Sequence, residues 1–187
     1  WRALSTRGRL QPGERVFISG IGGGVSLIAL QLAVAHGAEV VVSSSDPDKI
    51  RRAVELGAVG GVNYTEDQWW QAAGRLAPSG FDVIIDGAGG EGFGRLAQIL
   101  APAGRLVFYG GTTGKWPQIL PQHLFYRQVE ILASTMGSPK EFDAMLKWVT
   151  THEIRPIVDR VFPLENGADA FDHLESSRQF GKVTLSM

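Results

Sequence analysis

The sequence predicts a doubly wound α/β fold: a parallel sheet of six main strands with helices on both faces. Short apolar, β-branched segments alternate with helix-period segments through about residue 153. Glycine clusters at 20–24, 87–90 and 110–114 each close a predicted strand, which puts all three on one edge of a parallel sheet. Helix boundaries are marked by Asp46-Pro47 and Ser138-Pro139 at starts and by Gly37 and Gly57 at ends.

Composition excludes several classes. The 187 residues are 44% hydrophobic and 20% charged with a net charge of -1, as in a soluble globular protein without a basic footprint for nucleic acid or an anionic membrane. No apolar run reaches the ~18–20 residues of a membrane span, and no signal peptide is visible. With no cysteine there is neither a disulfide framework nor a thiolate metal site, which fits a reducing, cytoplasmic setting. Trp1-Arg2-Ala3-Leu4 reads as a helix already under way, so the chain is expected to be a fragment lacking an N-terminal portion.

In order, residues 1–8 suggest a helix, and Gln11-Pro12-Gly13-Glu14 a turn. Arg15 to Ser19 is strand one, Gly20 to Gly24 a loop, and Val25 to His36 a buried helix. Glu39 to Ser44 is strand two. The next helix, N-capped by Asp46, is expected to bury Ile50, Ala53, Val54 and Leu56. Val59 to Tyr64 is strand three, and Thr65 to Gln68 a capping box opening a helix to about Leu76. Phe81 to Asp86 is strand four. Phe93, Leu96, Ala97 and Leu100 share one helix face, ended by Pro102 and Gly104. Arg105 to Tyr109 is strand five, and Leu120 to Gln128 a short helix or crossover. Val129 to Met136 is strand six. Ser138 and Glu141 form a capping box for a helix burying Phe142, Met145, Leu146 and Val149. Ile157–Leu164, Glu165–Ser176 and Lys182–Met187 read as strand, helix and strand. The expected division is a dinucleotide-binding unit, 1–153, and a C-terminal segment, 154–187.

Strand, glycine loop and helix at 15–36 form the opening of a dinucleotide-binding βαβ unit. The glycines permit a tight turn and close approach of a pyrophosphate, and the helix start offers N–H groups and a positive dipole end. The fingerprint is imperfect. Gly20-x-Gly22 puts Val25 at the third glycine position, whereas Gly20-x-x-Gly23 puts Ser26 there. Strand two ends in Ser43-Ser44-Ser45, without the carboxylate that binds a ribose 2′-hydroxyl and would repel a 2′-phosphate. Lys49 follows one helical turn later, within reach of such a phosphate. Asp46 is the competing group, but as an N-cap its carboxylate is occupied. NADP(H) is therefore favoured over NAD(H).

The segments Leu10 to Val16, Gly20 to Ser26, Lys49 with Glu55-Leu56-Gly57-Ala58, Asn63-Tyr64, Phe81 to Asp86, Gly104 to Val107 and Phe180 to Val183 together resemble the medium-chain dehydrogenase/reductase superfamily. The resemblance is to its zinc-type alcohol dehydrogenase and quinone oxidoreductase members. It implies a Rossmann domain that binds a nicotinamide dinucleotide and works beside a separate catalytic domain, which carries the substrate pocket and any zinc ligands. It implies cofactor contacts at Gly22, Gly23, Gly24 and Val25, and 2′-phosphate contacts at Ser44, Lys49 and Tyr64. The nicotinamide end would lie at Gly87, Gly110, Gly111 and Ser134. It also suggests homodimers joined through strand six.

No catalytic side chain or metal site is expected in this chain. His36, His123, His152 and His173 lack metal-ligand spacing. Asp82 and Asp86 flank a strand and would lie ~13 Å apart, too far to share a proton. Arg178 and Lys182 are read as solvated rather than phosphate-binding, and the five tryptophans have no interleaved basic patch. The rival reading is a non-redox Rossmann module that binds S-adenosylmethionine or senses dinucleotide. The serines ending strand two argue against the methyl donor.

Overall fold

The computed structural model describes residues 1–187. Six parallel strands form one sheet: β1 (Arg15–Ile18), β2 (Glu39–Ser44), β3 (Gly60–Asn63), β4 (Phe81–Asp86), β5 (Leu100–Phe108) and β6 (Glu130–Ala133). Their order is β3-β2-β1-β4-β5-β6, the doubly wound order, with its topological switch between β1 and β4. The connecting helices are α1 (Gly24–Ala35), α2 (Pro47–Glu55), α3 (Trp69–Leu76), α4 (Phe93–Gln98), α5 (Gln122–Phe125) and α6 (Pro139–Thr151). No helix is long and apolar enough to cross a membrane.

Alternation along each strand divides the core between the two faces. Val16, Ile18, Val40, Val42, Val83, Ile85 and Val107 pack with Leu27, Leu30 and Ala33 of α1 and Ala53 of α2. Phe17, Val41, Ile84 and Leu106 pack on the other side with Ala73 of α3 and with Phe93 and Leu96 of α4. The central strands β1, β2 and β4 are thus apolar on both faces, and Val16–Ile18, Val40–Val42 and Val83–Ile85 read as continuous hydrophobic runs. Register follows the same residues: Val16, Phe17 and Ile18 of β1 lie opposite Val40, Val41 and Val42 of β2.

An N-terminal π-helical turn, Arg2–Arg7, covers part of this core through Leu4. Arg105 of β5 holds its end, donating from Nε to the Gly8 carbonyl (2.8 Å) and from both terminal nitrogens to Glu14 (2.9 and 2.7 Å). Beyond α6 come β7 (Val158–Pro163), a 3-10 turn (Leu164–Asn166), α7 (Gly167–Glu175) and β8 (Lys182–Ser186). β7 and β8 pair in parallel as a separate two-stranded sheet.

Several local expectations are corrected. Thr65 does not open a capping box. Its N–H and hydroxyl both donate to Asn63 Oδ1, and Gln68 takes a left-handed φ of 55°, so α3 starts only at Trp69. Leu100 is the first residue of β5 rather than the last turn of α4. Pro102 and Gly104 lie in the irregular stretch of β5 between its pairings at Leu100 and Arg105. In α2 Ala53 is buried, but Val54 faces solvent. In α6 Phe142 and Leu146 are 58% and 50% exposed. That helix docks through Val149, as expected, and through Trp148, which lies against Trp1 and the His36 ring.

Candidate functional site

At the carboxyl ends of β1, β2 and β4 the chain builds a loop from residues 19–23. The Ser19 N–H donates to the Ile85 carbonyl (3.0 Å) and the Ile21 N–H to the Ser43 carbonyl (2.7 Å). The Gly20 N–H donates to the Ser43 hydroxyl (3.2 Å). Ser43 therefore builds the loop rather than facing a ligand. Buried Asp86 accepts from the Ser19 hydroxyl and from the N–H groups of Ala88 (3.3 Å) and Gly89 (2.8 Å), tying the two sides of the switch point together. Asp82 accepts the Arg15 N–H at 2.8 Å. Both aspartates are structural, as their spacing implies.

α1 begins at Gly24 without a side-chain cap, and its first intrahelical bond runs from Leu27 N–H to Gly23 carbonyl (3.0 Å). The N–H groups of Gly24, Val25 and Ser26 have no intrahelical partner and sit at the positive end of the helix dipole. Val25 and Gly23 are exposed there. Ser26 is buried, its hydroxyl within 3.0 Å of the Gly20 carbonyl and 2.9 Å of the Gly23 carbonyl. It takes the third position of the fingerprint by bonding the loop instead of by having no side chain.

Two lysines stand on this loop. A Cβ built on Gly24 would lie 2.5 Å from Lys182 Nζ, and one on Gly22 would lie 3.0 Å from Lys49 Cδ and 3.3 Å from its Nζ. Lys182, expected to be solvated, arrives from β8: the segment Phe180-Gly181-Lys182 returns over the loop through contacts distant in sequence. The Gly181 N–H donates to the Gly22 carbonyl (3.0 Å), and Lys49 Nζ donates to the Ser177 carbonyl (2.5 Å). Burial depresses the Lys49 pKa, against the raising pull of Asp46 and Asp159, and Arg52 lowers it further.

The remaining predicted positions line the same edge. Ser44 is buried and its hydroxyl accepts from Asp46 N–H (3.1 Å), so the exposed hydroxyl ending β2 is that of Ser45. Tyr64 donates its N–H to the Ser44 carbonyl (3.1 Å) and its side chain is exposed. Asp46 caps α2, its Oδ1 accepting from Asp48 N–H (2.9 Å). Gly87 and Gly110 meet so closely that a Cβ on Gly110 would lie 2.7 Å from the Gly87 carbonyl oxygen. Tyr109 lies over Gly87, and burial together with Asp86 pushes its hydroxyl pKa up to about 12. Gly111 is exposed in the next turn, and Ser134, just past β6, donates its N–H to the Phe108 carbonyl (2.8 Å).

The histidines lie apart. His36 and His152 flank Trp148, His173 bonds Asp159, and His123 belongs to α5. No three His, Asp or Glu side chains converge into a set that could hold a metal ion.

Residues 24–151 match the family model described as zinc-binding dehydrogenase. The whole chain aligns at 36% identity with the zinc-type alcohol dehydrogenase-like protein YogA of Leptosphaeria maculans, covering 55% of that protein. The crystal structure of an NAD-dependent alcohol dehydrogenase superposes on all of this chain with a TM-score of 0.92 and 36% identity, over 55% of its own length. A mycobacterial protein solved with NADPH superposes on all of it with a TM-score of 0.86 at 25% identity, over 60% of its own length. The chain thus spans about half the length of the relatives it matches. Zinc, which the family name implies, does not fit the side chains present, and no chemistry here runs through it. By its strand order, its glycine loop and the match over residues 24–151, the chain belongs to the zinc-binding dehydrogenase family, within the medium-chain dehydrogenase/reductase superfamily.

Proposed function

We propose that this chain is the NADP(H)-binding domain of an oxidoreductase that moves hydride between nicotinamide and a carbonyl, enone, alcohol or quinone substrate. In this reading residues 1–153 form the dinucleotide-binding unit, and 154–187 lay Lys182 on its glycine loop and lead back to a catalytic domain outside the chain. The carrying observation is the uncapped start of α1 at the switch point, with Lys182 over Gly24 and Lys49 over Gly22. A diphosphate placed there accepts from the N–H groups of Gly24, Val25 and Ser26 and meets the Lys182 ammonium.

Ser45 and Tyr64, just past β2 and β3, and Lys49 in the first turn of α2 would meet the phosphorylated ribose, with Ser44 forming the floor beneath. The engagement of Asp46 as a helix cap supports a 2′-phosphate over a free 2′-hydroxyl. When bound, the nicotinamide supplies the hydride chemistry. The chain's part is to orient it. The close approach of Gly87 and Gly110 brings main chain toward the ring, with the Tyr109 side chain over Gly87 and Gly111 and Ser134 beside it. The substrate pocket lies with the catalytic domain. The edge position of β6 supports pairing with a second copy through that strand.

Competition titration tests the reading. NADPH bound to the chain should be displaced by ADP, and more tightly by 2′,5′-ADP. Failure of NADPH and both fragments to bind would remove it.

A further inference from the structure

The turn that the C-terminal segment lays on the glycine loop is braced from behind by one carboxylate. Asp159 of β7 has both oxygens engaged: Oδ1 accepts from the Phe180 N–H at 2.9 Å and Oδ2 from His173 Nε2 at 2.7 Å. Phe180 is buried, with the Arg52 guanidinium 4.0 Å over its ring. The next residue, Gly181, donates to the Gly22 carbonyl at 3.0 Å, and Lys182 N–H donates to the Ile157 carbonyl at 2.8 Å. Gly181 has a φ of +127°, which a side chain would resist. The turn carrying Lys182 is held at one end by Asp159 and at the other by the loop it covers.

We propose that Asp159, oriented by His173, is the positioning residue that seats Lys182 on the glycine loop, and so sets how tightly the loop holds a diphosphate. The proposal rests on the dinucleotide reading above. Asp159 acts through the chain, not by contact: its bonds fix the Phe180 N–H, and Gly181 and Lys182 follow directly. His173 donates to the oxygen facing away from the turn and keeps the carboxylate from rotating off the Phe180 N–H. Lys182 and the uncapped N–H groups of α1 then converge on one anion.

The test is a double-mutant cycle read by calorimetric titration with NADPH and with NADH. Asp159→Ala should weaken both by about tenfold in the otherwise unchanged chain and by less than about twofold when Lys182 is already alanine. Asp159→Asn keeps an acceptor for Phe180 and should recover most of the affinity. Equal losses with and without Lys182 would overturn the proposal. If Asp159→Ala does not fold, the same cycle is run with His173→Phe, which removes the donor to Asp159. A loss confined to the Lys182 background supports positioning, and a loss independent of it overturns it. The unsubstituted chain is the control: no binding there contradicts the dinucleotide reading, whereas binding with an additive cycle contradicts only the role of Asp159.

Discussion

The Gly181 N–H donates to the Gly22 carbonyl across 3.0 Å. This bond joins the residue just before the last strand to the loop that opens α1, 159 positions earlier in the sequence. Through it the glycine loop acquires a second cation, Lys182, in addition to Lys49 of α2.

The two lysines should separate by cofactor. Lys182→Ala is expected to weaken NADPH and NADH alike, by about tenfold, since a charge-assisted hydrogen bond contributes about 1.5–3 kcal/mol and both cofactors carry the diphosphate. Lys49→Ala should weaken NADPH about tenfold more than NADH. Equal losses on Lys49→Ala would assign that lysine to the diphosphate beside Gly22. Titration of each variant with both cofactors reads the difference.

Gly22→Ala should be costly twice over. Gly22 has a φ of +122°, and its new Cβ would press to 3.0 Å on Lys49 Cδ and 3.4 Å on the Gln179 carbonyl. Strain of this kind costs on the order of 1–3 kcal/mol, and for a domain of this size each kcal/mol lowers Tm by about 2–4 °C. Calorimetry should show that fall together with weakened dinucleotide binding.

Gly87 and Tyr109 should be coupled. A Cβ on Gly87 would lie 2.6 Å from the Tyr109 hydroxyl. Gly87→Ala should destabilise by roughly 1–3 kcal/mol, as overpacking does. Adding Tyr109→Ala should cost less than the sum of the two single changes. Urea midpoints of the four proteins give the cycle.

Acid sensitivity should trace in part to Glu141. Its carboxylate accepts from the Ser138 N–H (2.7 Å), the Thr6 hydroxyl (2.6 Å) and Arg2 (2.5 Å). The Ser138 bond first, then Thr6, hold its pKa at about 2 against an ordinary 4.5. The folded state thus binds its proton more weakly than the unfolded state. Its contribution is complete above about pH 4.5 and is lost as pH falls toward 2. Glu141→Gln should lower Tm at pH 7, with the gap to the unsubstituted chain closing toward pH 2.

Much of this architecture was legible from local signals. β2 and β4 have the predicted bounds because their apolar runs have only one way to be buried in a covered parallel sheet. The Ser138 box forms because Glu141 is free to reach back to Ser138 N–H. The matching pattern at Thr65 fails because Asn63, two residues earlier, takes both Thr65 donors. Phe142 and Leu146 have helical spacing but lie off the face that α6 turns toward Trp1 and His36, a choice made by tertiary contacts. The glycine loop was readable because its chemistry is local. Lys182 was not assigned because its place depends on Asp159, His173 and Phe180 bending a distant turn back over Gly22. Ser44, the serine expected at the 2′-phosphate, is the last residue of β2 and is buried with its hydroxyl on the Asp46 N–H, while Ser45, one residue past the strand, is exposed; strand end and turn geometry, not residue type, separate the two.

The most direct test of the account is calorimetric titration of the chain with NADPH and NADH at one fixed salt concentration. The account predicts saturable binding of both, with NADPH tighter by about tenfold or more, the margin expected of a charged bond to the 2′-phosphate. NADH binding as tightly as NADPH would contradict the selector proposed at Ser45, Lys49 and Tyr64, and no binding of either would contradict the account at its centre, the glycine loop.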